Sequence, residues 1–460
     1  MTEHQKLDPQ HLFDSMDEKE AHAMLLALVS EYCDRYHGTA TEHKFTPGDR
    51  IPYASRVYDH EEMVNLVDSA LEFWLTMGRY TRTFEKDFAA FEGVRFANVV
   101  NSGSSANLLA FMTLTSPLLG ERAVHRGDEV ITVAAGFPTT VTPMLNYGAV
   151  PVFVDVTIPQ YNIDVTKLEA ALSEKTKAVM IAHTLGNPFD LAAVSSFCKK
   201  HGLWLVEDNC DALGSRVMLD GEWKLTGSVG DLGTSSFYPP HHMTMGEGGA
   251  VYTSDPLLQK IIRSIRDWGR DCICESGQDN RCGHRFDGQH GELPKGYDHK
   301  YVYSHFGYNL GITDMQSAVG VAQLKKLPGF VARRKHNWQV LREALADVSD
   351  RIILPEACHD SDPSWFGFCM TLADGIDRAR VIREIENAGV QTRLLFAGNF
   401  VKQPCFDHIR GDERVYRVAG ALKETDRIMN STFWVGVYPG LTNEKLSYMA
   451  ETIKKAVRRQ

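Results

Sequence analysis

The chain has 460 residues and a formal net charge of -10 at pH 7. It has no basic excess with which to neutralise phosphates, so nucleic acid is not an expected partner. The polar N-terminus has no basic segment followed by an apolar core, and the longest apolar stretch near it, residues 23–29, is too short to span a membrane. We therefore expect a cytoplasmic protein with reduced cysteines and no membrane partner.

The pattern of apolar residues predicts two domains after an N-terminal extension. Residues 1–55 are expected to hold one helix, Glu18–Tyr36, and then irregular chain. Strands alternating with helices are predicted over 56–330, at 97–101, 128–134, 150–156, 178–183 and 203–208. This rhythm is typical of an α/β fold with a mostly parallel sheet. Residues 331–460 are predicted to form a smaller α/β domain, with strands near 366–372 and 390–394.

Two strings follow predicted strands, at the sheet edge where open α/β folds bind ligands. Asn-Ser-Gly-Ser-Ser-Ala-Asn at 101–107 leads into a helix and offers N–H groups and hydroxyls to a phosphate, although an ordinary helix cap would look alike. Val-Glu-Asp-Asn-Cys-Asp at 206–211 ends an apolar strand, where a buried carboxylate needs a partner. A pyridinium nitrogen would suit it, but two acids that merely cap a strand fit equally well.

A third string, Ser-Ser-Phe-Tyr-Pro-Pro-His-His-Met-Thr-Met-Gly-Glu-Gly-Gly at 235–249, resembles a known family. The DegT/DnrJ/EryC1 sugar aminotransferases carry Ser-Phe-x-Pro-x-Lys leading into Gly-Glu-Gly-Gly, and the other two strings match them in the same order. The resemblance covers nearly all of the chain after the first fifty residues. It implies the fold-type I, aspartate aminotransferase-like fold, a PLP or PMP cofactor and a homodimer with shared active sites.

The resemblance also implies the cofactor-binding residues. Around the phosphate these are Gly103, Ser104, Ser105 and Ser236, with Asn309 reaching the phosphate from the neighbouring subunit. Phe137 would stack on the pyridine ring, and Asp208 would bind the ring nitrogen.

His241 occupies the position at which the family carries the lysine that binds the cofactor covalently. Imidazole cannot form that bond, so PMP or PLP would be held non-covalently. Histidine can still act as a general base, which makes His241 the predicted catalytic residue. A degenerate, inactive relative is the alternative. His242 is a rival for the role, but it is one residue out of register and is better interpreted as a local packing neighbour.

Four cysteines form the predicted metal site. Cys272, Cys274 and Cys282 lie in a polar loop, and Cys210 precedes them by a spacer of 61 residues. Four thiolates can hold a [2Fe–2S] cluster or a structural zinc. The Cys-x-Cys spacing favours the cluster mildly, and Cys210 would place it near the cofactor ring because it follows Asp208 by two residues.

The histidine and the four cysteines together resemble one subfamily, the 3-dehydrases of the CDP-4-dehydro-6-deoxyglucose type. That resemblance implies removal of the C3 hydroxyl of a nucleoside-diphosphate 4-keto-6-deoxyhexose in 3,6-dideoxysugar biosynthesis. Electrons would come from a separate NAD(P)H-dependent flavin/iron–sulfur reductase. Arg393 is the predicted substrate-binding residue, because a guanidinium can bind a diphosphate in bidentate fashion. An ordinary surface arginine would fit the sequence equally well. A cluster-free dehydratase that restores PMP with glutamate, and a non-catalytic zinc-stabilised relative, are the alternatives.

Overall fold

The computed structural model describes residues 11–37, 44–275, 277–281 and 283–459. Its helices are α1 (Glu18–Tyr36), α2 (His60–Glu72), α3 (Arg79–Glu92), α4 (Gly103–Leu114), α5 (Pro138–Tyr147), α6 (Leu168–Ala171), α7 (Leu191–His201), α8 (Pro256–Arg266), α9 (Asp314–Ala344), α10 (Arg378–Asn387), α11 (Lys423–Ser431) and α12 (Asn443–Arg458). None of the helices in these ranges has the length and apolar run that a membrane span requires.

The strands form three sheets. They are β1 (Phe96–Val100), β2 (Glu129–Val133), β3 (Val150–Val154), β4 (Thr176–Ala182), β5 (Trp204–Asp208), β6 (Arg216–Leu219), β7 (Glu222–Leu225), β8 (Leu232–Ser236), β9 (Gly249–Thr253), β10 (Ile352–Ile353), β11 (Ser361–Asp362), β12 (Gly367–Leu372), β13 (Thr392–Arg393), β14 (Arg417–Val418) and β15 (Thr432–Gly436).

The large sheet has eight strands in the order β1-β9-β8-β5-β4-β2-β3-β14. Only β9 runs antiparallel to its neighbours, so the predicted mostly parallel sheet is confirmed. The five predicted strands correspond to β1 to β5, with ends that differ by at most two residues. The sequence analysis missed β8 and β9, because their small and polar residues lack a strong β pattern.

Helices cover both faces of this sheet, which explains why its central strands β8, β5 and β2 are buried along their whole length. Along β4, Val179 and Ile181 pack in one buried cluster with α7, whereas Met180 packs in another with α4 and α8. Because side chains alternate along a strand, the two clusters lie on opposite faces.

A four-stranded antiparallel sheet, β10-β12-β15-β13, forms the smaller α/β unit with α10 and α12. The third sheet, β11-β6-β7, is a hairpin extended by one short strand. The Asp220–Gly221 pair turns the hairpin, and both residues have positive φ.

The predicted division at residue 330 falls within α9, a continuous helix of 31 residues. Two further segments cross between the predicted domains. Ile51, from the predicted extension, pairs with Val390 and lies in the core of the small sheet. Conversely, β14 joins the edge of the large sheet beside β3. The two units therefore share chain segments, which a division by sequence position does not capture.

Candidate active site

A cavity of about 430 Å³ lies at the carboxyl ends of β2, β4, β5 and β8, where the small sheet faces the large one. Its walls include eight of the residues predicted from the sequence: Gly103, Ser104, Phe137, Asp208, Cys210, Ser236, His241 and Arg393. Residues from five separate stretches of the chain thus meet in one place.

Four other predicted residues do not line the cavity. Ser105 lies in the first turn of α4, and its N–H donates to the Ser102 hydroxyl at 3.1 Å. Asn309 is exposed on a loop whose backbone pairs with Asp267. Cys272 and Cys274 border a separate, small cavity. Cys282 lies outside the described residues.

The start of α4 and the end of β8 form the predicted phosphate site. A β-carbon on Gly103 would lie only 2.3 Å from Cβ of Ser236, so only glycine permits this approach. The contact places Ser104 and Ser236 at the N-terminus of α4, where unpaired N–H groups and the helix dipole favour an anion. Ser102 caps the same helix. The helix-cap and phosphate interpretations of this string are therefore compatible.

Asp208, at the end of β5, is held by neighbours that donate to its carboxylate. Nδ2 of Asn107 and Oγ1 of Thr140 each lie 2.7 Å from Oδ2. The N–H of Cys210 lies 3.2 Å from Oδ1. Thr234 in turn donates to the side-chain oxygen of Asn107, which fixes the amide with its NH₂ group towards Asp208. The carboxylate is buried, oriented and only lightly bonded at Oδ1.

His241 lies in the turn after β8, and its N–H donates to the carbonyl of Tyr238 at 2.9 Å. Its imidazole packs against the Phe366 ring, with centroids 5.2 Å apart. Nδ1 lies 3.5 Å from Oδ1 of Asp211 and makes no hydrogen bond to the described residues. The ring therefore faces the cavity between Asp211 and an aromatic wall.

Burial and the nearby charges keep the imidazole of His241 neutral. Burial and then the nearby Arg334 cation lower its pKa to about 4, and Asp208 opposes them. Burial and the Asp208 charge raise the pKa of Asp211 to about 8. Near pH 7 the imidazole is therefore unprotonated and able to accept a proton.

His242 faces away from the cavity. Its Nε2 lies 2.7 Å from the carbonyl oxygen of Ser364, and its side chain is buried. The structure therefore places His241, rather than His242, at the cavity wall.

Two further predicted residues border the mouth of the cavity. Phe137 is half exposed and meets Phe396 edge to face, with centroids 5.7 Å apart. The Arg393 guanidinium lies over the Tyr53 ring, 4.1 Å from its centroid. Its side chain is fixed by this contact and by a hydrogen bond to the Thr392 carbonyl.

The sequence analysis missed several residues of the site. Asn107 ends the string at 101–107, and Thr140 lies three residues after Phe137. A polar side chain on the inner face of a helix is the signal that could have identified both residues. Asp211 ends the string at 206–211, whereas Tyr53 and Arg334 carry no local pattern that sets them apart. Their roles depend on contacts with residues that are distant in the chain.

The predicted cysteine site is divided in the structure. The N–H of Cys274 approaches Sγ of Cys272 at 3.5 Å, beside His299 and Lys300. Cys210 instead faces the large cavity, where burial and the Asp208 charge raise the pKa of its thiol. Within the described ranges, no three His, Cys, Asp or Glu side chains converge as a metal site.

Comparison with known proteins identifies relatives along almost the whole chain. It is 52% identical over 431 residues to the lipopolysaccharide biosynthesis protein RfbH of Salmonella typhimurium (strain LT2), covering 93% of this chain and 97% of that one. It is 48% identical over 441 residues to the dTDP-4-dehydro-2,6-dideoxy-D-glucose 3-dehydratase of Saccharopolyspora spinosa, covering 95% and 92%.

A solved structure shares the fold. It is a GDP-4-keto-6-deoxymannose-3-dehydratase with a trapped PLP-glutamate geminal diamine, 27% identical, with a TM-score of 0.75 over 88% of this chain and 100% of that one. The predicted aminotransferase-like fold is confirmed by this match. The model of the DegT/DnrJ/EryC1/StrS aminotransferase family matches residues 57–454. The chain therefore belongs to the DegT/DnrJ/EryC1/StrS aminotransferase family.

Proposed function

We propose that the chain is a PLP- or PMP-dependent 3-dehydratase that removes the C3 hydroxyl of a nucleoside-diphosphate 4-keto-6-deoxyhexose. The observation that carries this proposal is His241, a neutral imidazole at the cavity wall where the family has a lysine. The names of two similar proteins, both 3-dehydratases of nucleotide-linked keto-deoxy sugars, support the same substrate class.

The residues of the cavity fit the cofactor. Ser104 and Ser236 would bind its phosphate at the start of α4, where Gly103 leaves no room for a side chain. Oδ1 of Asp208 is available to the pyridine nitrogen, and Phe137 would cover the ring. None of the described residues that line the cavity is a lysine, so the cofactor would be held non-covalently.

When bound, the cofactor supplies an amine for the C4 ketone of the sugar and a ring that accepts the electron pair released at its C4′ carbon. Asp208, held by Asn107 and Thr140, would accept a hydrogen bond from the ring nitrogen and favour its protonated form. His241 would take the proton at C4′, because it lines the cavity and its buried imidazole is unprotonated near pH 7. Phe366 keeps water away from one side of this base.

Arg393 would bind the diphosphate of the substrate. Its guanidinium borders the cavity mouth and is pre-positioned over Tyr53. A planar, pre-oriented guanidinium loses little entropy on binding a phosphate in bidentate fashion.

Two routes could complete the reaction. In the first, glutamate restores the amine of the cofactor, and the similar dehydratase with a trapped PLP–glutamate adduct supports this route. In the second, a [2Fe–2S] cluster on Cys210, Cys272, Cys274 and Cys282 passes electrons from a separate NAD(P)H-dependent flavin/iron–sulfur reductase. The adjacent thiols of Cys272 and Cys274 favour the second route. The described thiols do not converge as a cluster site, so we propose the glutamate route first.

Replacement of His241 tests the dehydratase proposal. His241→Asn should keep PLP affinity within about threefold and lower C3 dehydration of CDP-4-keto-6-deoxyglucose at least a hundredfold, because a general base contributes about 10²–10⁴. Product formation and release of tritium from C4′-labelled PMP measure the effect. His242→Gln, which can still donate to the Ser364 carbonyl, is the matched control and should stay near wild type. Substantial turnover by His241→Asn would refute the proposal.

The two routes predict different cofactor contents and different requirements for turnover in the purified protein. The glutamate route predicts multiple turnovers with glutamate alone. The cluster route predicts stoichiometric iron and sulfide after anaerobic purification, an S = 1/2 EPR signal on one-electron reduction, and turnover only with a reductase and NAD(P)H. In the cluster case, Cys272→Ser should abolish the EPR signal while leaving PLP binding unchanged.

A further inference from the structure

Arg334, on α9, is a fully buried cation without an ion pair. Its side chain is 2% exposed, and no carboxylate of the described chain lies within ion-pair distance. The acid that acts on it electrostatically is Asp211, and burial outweighs that influence, so the pKa of Arg334 falls to about 9. A buried charge without a counter-ion needs other partners, and here these are backbone carbonyls.

The guanidinium connects two segments that are far apart in sequence. Nη2 donates to the carbonyl oxygens of Pro240 and His241, at 3.3 and 3.0 Å. Nη1 donates to those of Trp365 and Phe366, both at 3.4 Å. One nitrogen thus holds the turn that carries His241, and the other holds the chain entering β12 of the small sheet.

These four carbonyls belong to the two walls that enclose the imidazole. Phe366 packs on the His241 ring, so Arg334 fixes both the backbone of the base and the backbone of its aromatic neighbour. The turn has one other long-range side-chain tie, since Nε2 of His242 lies 2.7 Å from the Ser364 carbonyl, whereas the His241 N–H bond to Tyr238 is local. Arginine suits this task because its donors lie in a rigid plane, whereas an ammonium group is a single point.

We propose that Arg334 is a positioning residue for His241: its guanidinium ties the 240–241 turn to residues 365–366 and so sets the place of the imidazole at the cavity wall. This inference rests on the proposed function, because the position of the imidazole matters only if His241 moves a proton.

The test measures proton transfer separately from binding. Wild type, Arg334→Met and Arg334→Lys are compared as full-length, PLP- or PMP-loaded proteins. The readouts are tritium release from C4′-labelled PMP in the presence of CDP-4-keto-6-deoxyglucose, the visible circular dichroism of bound PLP, and kcat and KM. Arg333→Met is the matched control. Arg333 is the neighbour of Arg334 on α9, but its guanidinium donates to a distant carbonyl, that of Leu441.

We expect Arg334→Met to lower tritium release and kcat at least tenfold, with KM and PLP affinity within threefold of wild type. Arg334→Lys should lose at least fivefold, and Arg333→Met should stay within twofold. In a His241→Asn background, Arg334→Met should change the residual rate by less than twofold, since a residue that acts through His241 has nothing left to position.

Three results would overturn the inference. They are a wild-type rate in Arg334→Met, an equal fold loss in the His241→Asn background, and a loss that appears only in KM or PLP binding. If Arg334→Met does not fold, Arg334→Lys decides alone, and a wild-type rate there refutes the role. Undiminished tritium release in His241→Asn would instead refute the proposed function itself.

Discussion

Asp208 shows how single side chains adapt this site to an electron-accepting ring. Its carboxylate is buried at the cavity wall, where Asn107 and Thr140 both donate to Oδ2 and the other oxygen accepts only the Cys210 N–H at 3.2 Å. Hydrogen bonds to a buried charged group contribute more than neutral ones, because the group has lost its water. The orientation of Asp208 therefore depends on two neutral neighbours.

Removal of one of these donors should weaken cofactor binding. Thr140→Val keeps the side-chain shape and deletes the bond to Oδ2 of Asp208, a loss of about 1.5–3 kcal/mol for a charged acceptor. We expect PLP affinity to fall about tenfold or more, measured by fluorescence titration. Thr142→Val, on the same helix, loses only a bond to the Pro138 carbonyl and should bind PLP as wild type does. Equal affinities for the two variants would contradict the assignment.

At the scale of elements, α3 packs against the large sheet with a buried acid at its end. Glu92 is 1% exposed, and neither carboxyl oxygen has a hydrogen-bond partner among the described residues. The nearby Glu207 accepts three backbone N–H groups, from Gly227, Val229 and Gly230. Burial, with the Glu207 charge, raises the pKa of Glu92 well above 4.5.

This raised pKa predicts a specific dependence of stability on pH. Above about pH 4.5 the unfolded Glu92 ionises while the folded one keeps its proton, so rising pH destabilises the folded state by up to about 1.4 kcal/mol per unit until the folded pKa is reached. Glu92→Gln cannot ionise. Its thermal midpoint should therefore rise relative to wild type as pH increases from 5 to 8.

The exposed Glu174→Gln provides the comparison for this effect. Its midpoint should run parallel to that of wild type over the same pH range. A constant difference between Glu92→Gln and wild type from pH 5 to 8 would show that Glu92 is ionised in the folded protein.

At the scale of the whole molecule, the predicted homodimer with shared sites remains a prediction. Asn309, expected to reach the phosphate of a neighbouring subunit, lies outside the cavity of its own chain. It follows a loop on which Tyr301, Tyr303 and Phe306 are exposed. An exposed aromatic segment next to Asn309 is compatible with a contact between subunits.

Subunit complementation tests this arrangement. Asn309→Ala and His241→Asn should each be poorly active alone. In a mixed dimer, one site would combine an intact His241 with the partner subunit's Asn309, so activity should rise well above the mean of the two parents. Dehydration assays on the mixture, with the mass from light scattering, measure this. Activity equal to that mean would place Asn309 outside the shared site.

The elements and the motif residues could be predicted because their signals are local. Runs of β-branched residues predicted β1 to β5, and α1 begins where Asp17 and Glu20 form a capping box. The histidine in the lysine position and Asp208 at a strand end were visible in short strings. Such features depend on neighbouring residues, which a sequence displays directly.

Only the tertiary structure brought together residues that are distant in the chain. Arg334 is 93 residues from His241, and Tyr53 meets Arg393 across most of the chain. The sequence also could not predict that Cys210 borders a different cavity from Cys272 and Cys274, because the spacing of cysteines along the chain does not determine where their side chains point in the fold. The sequence by itself determined the mostly parallel character of the sheet and the family, and it predicted His241 as the base. The packing of two units around one cavity decided what surrounds that base, because such contacts follow from the whole fold rather than from local pattern.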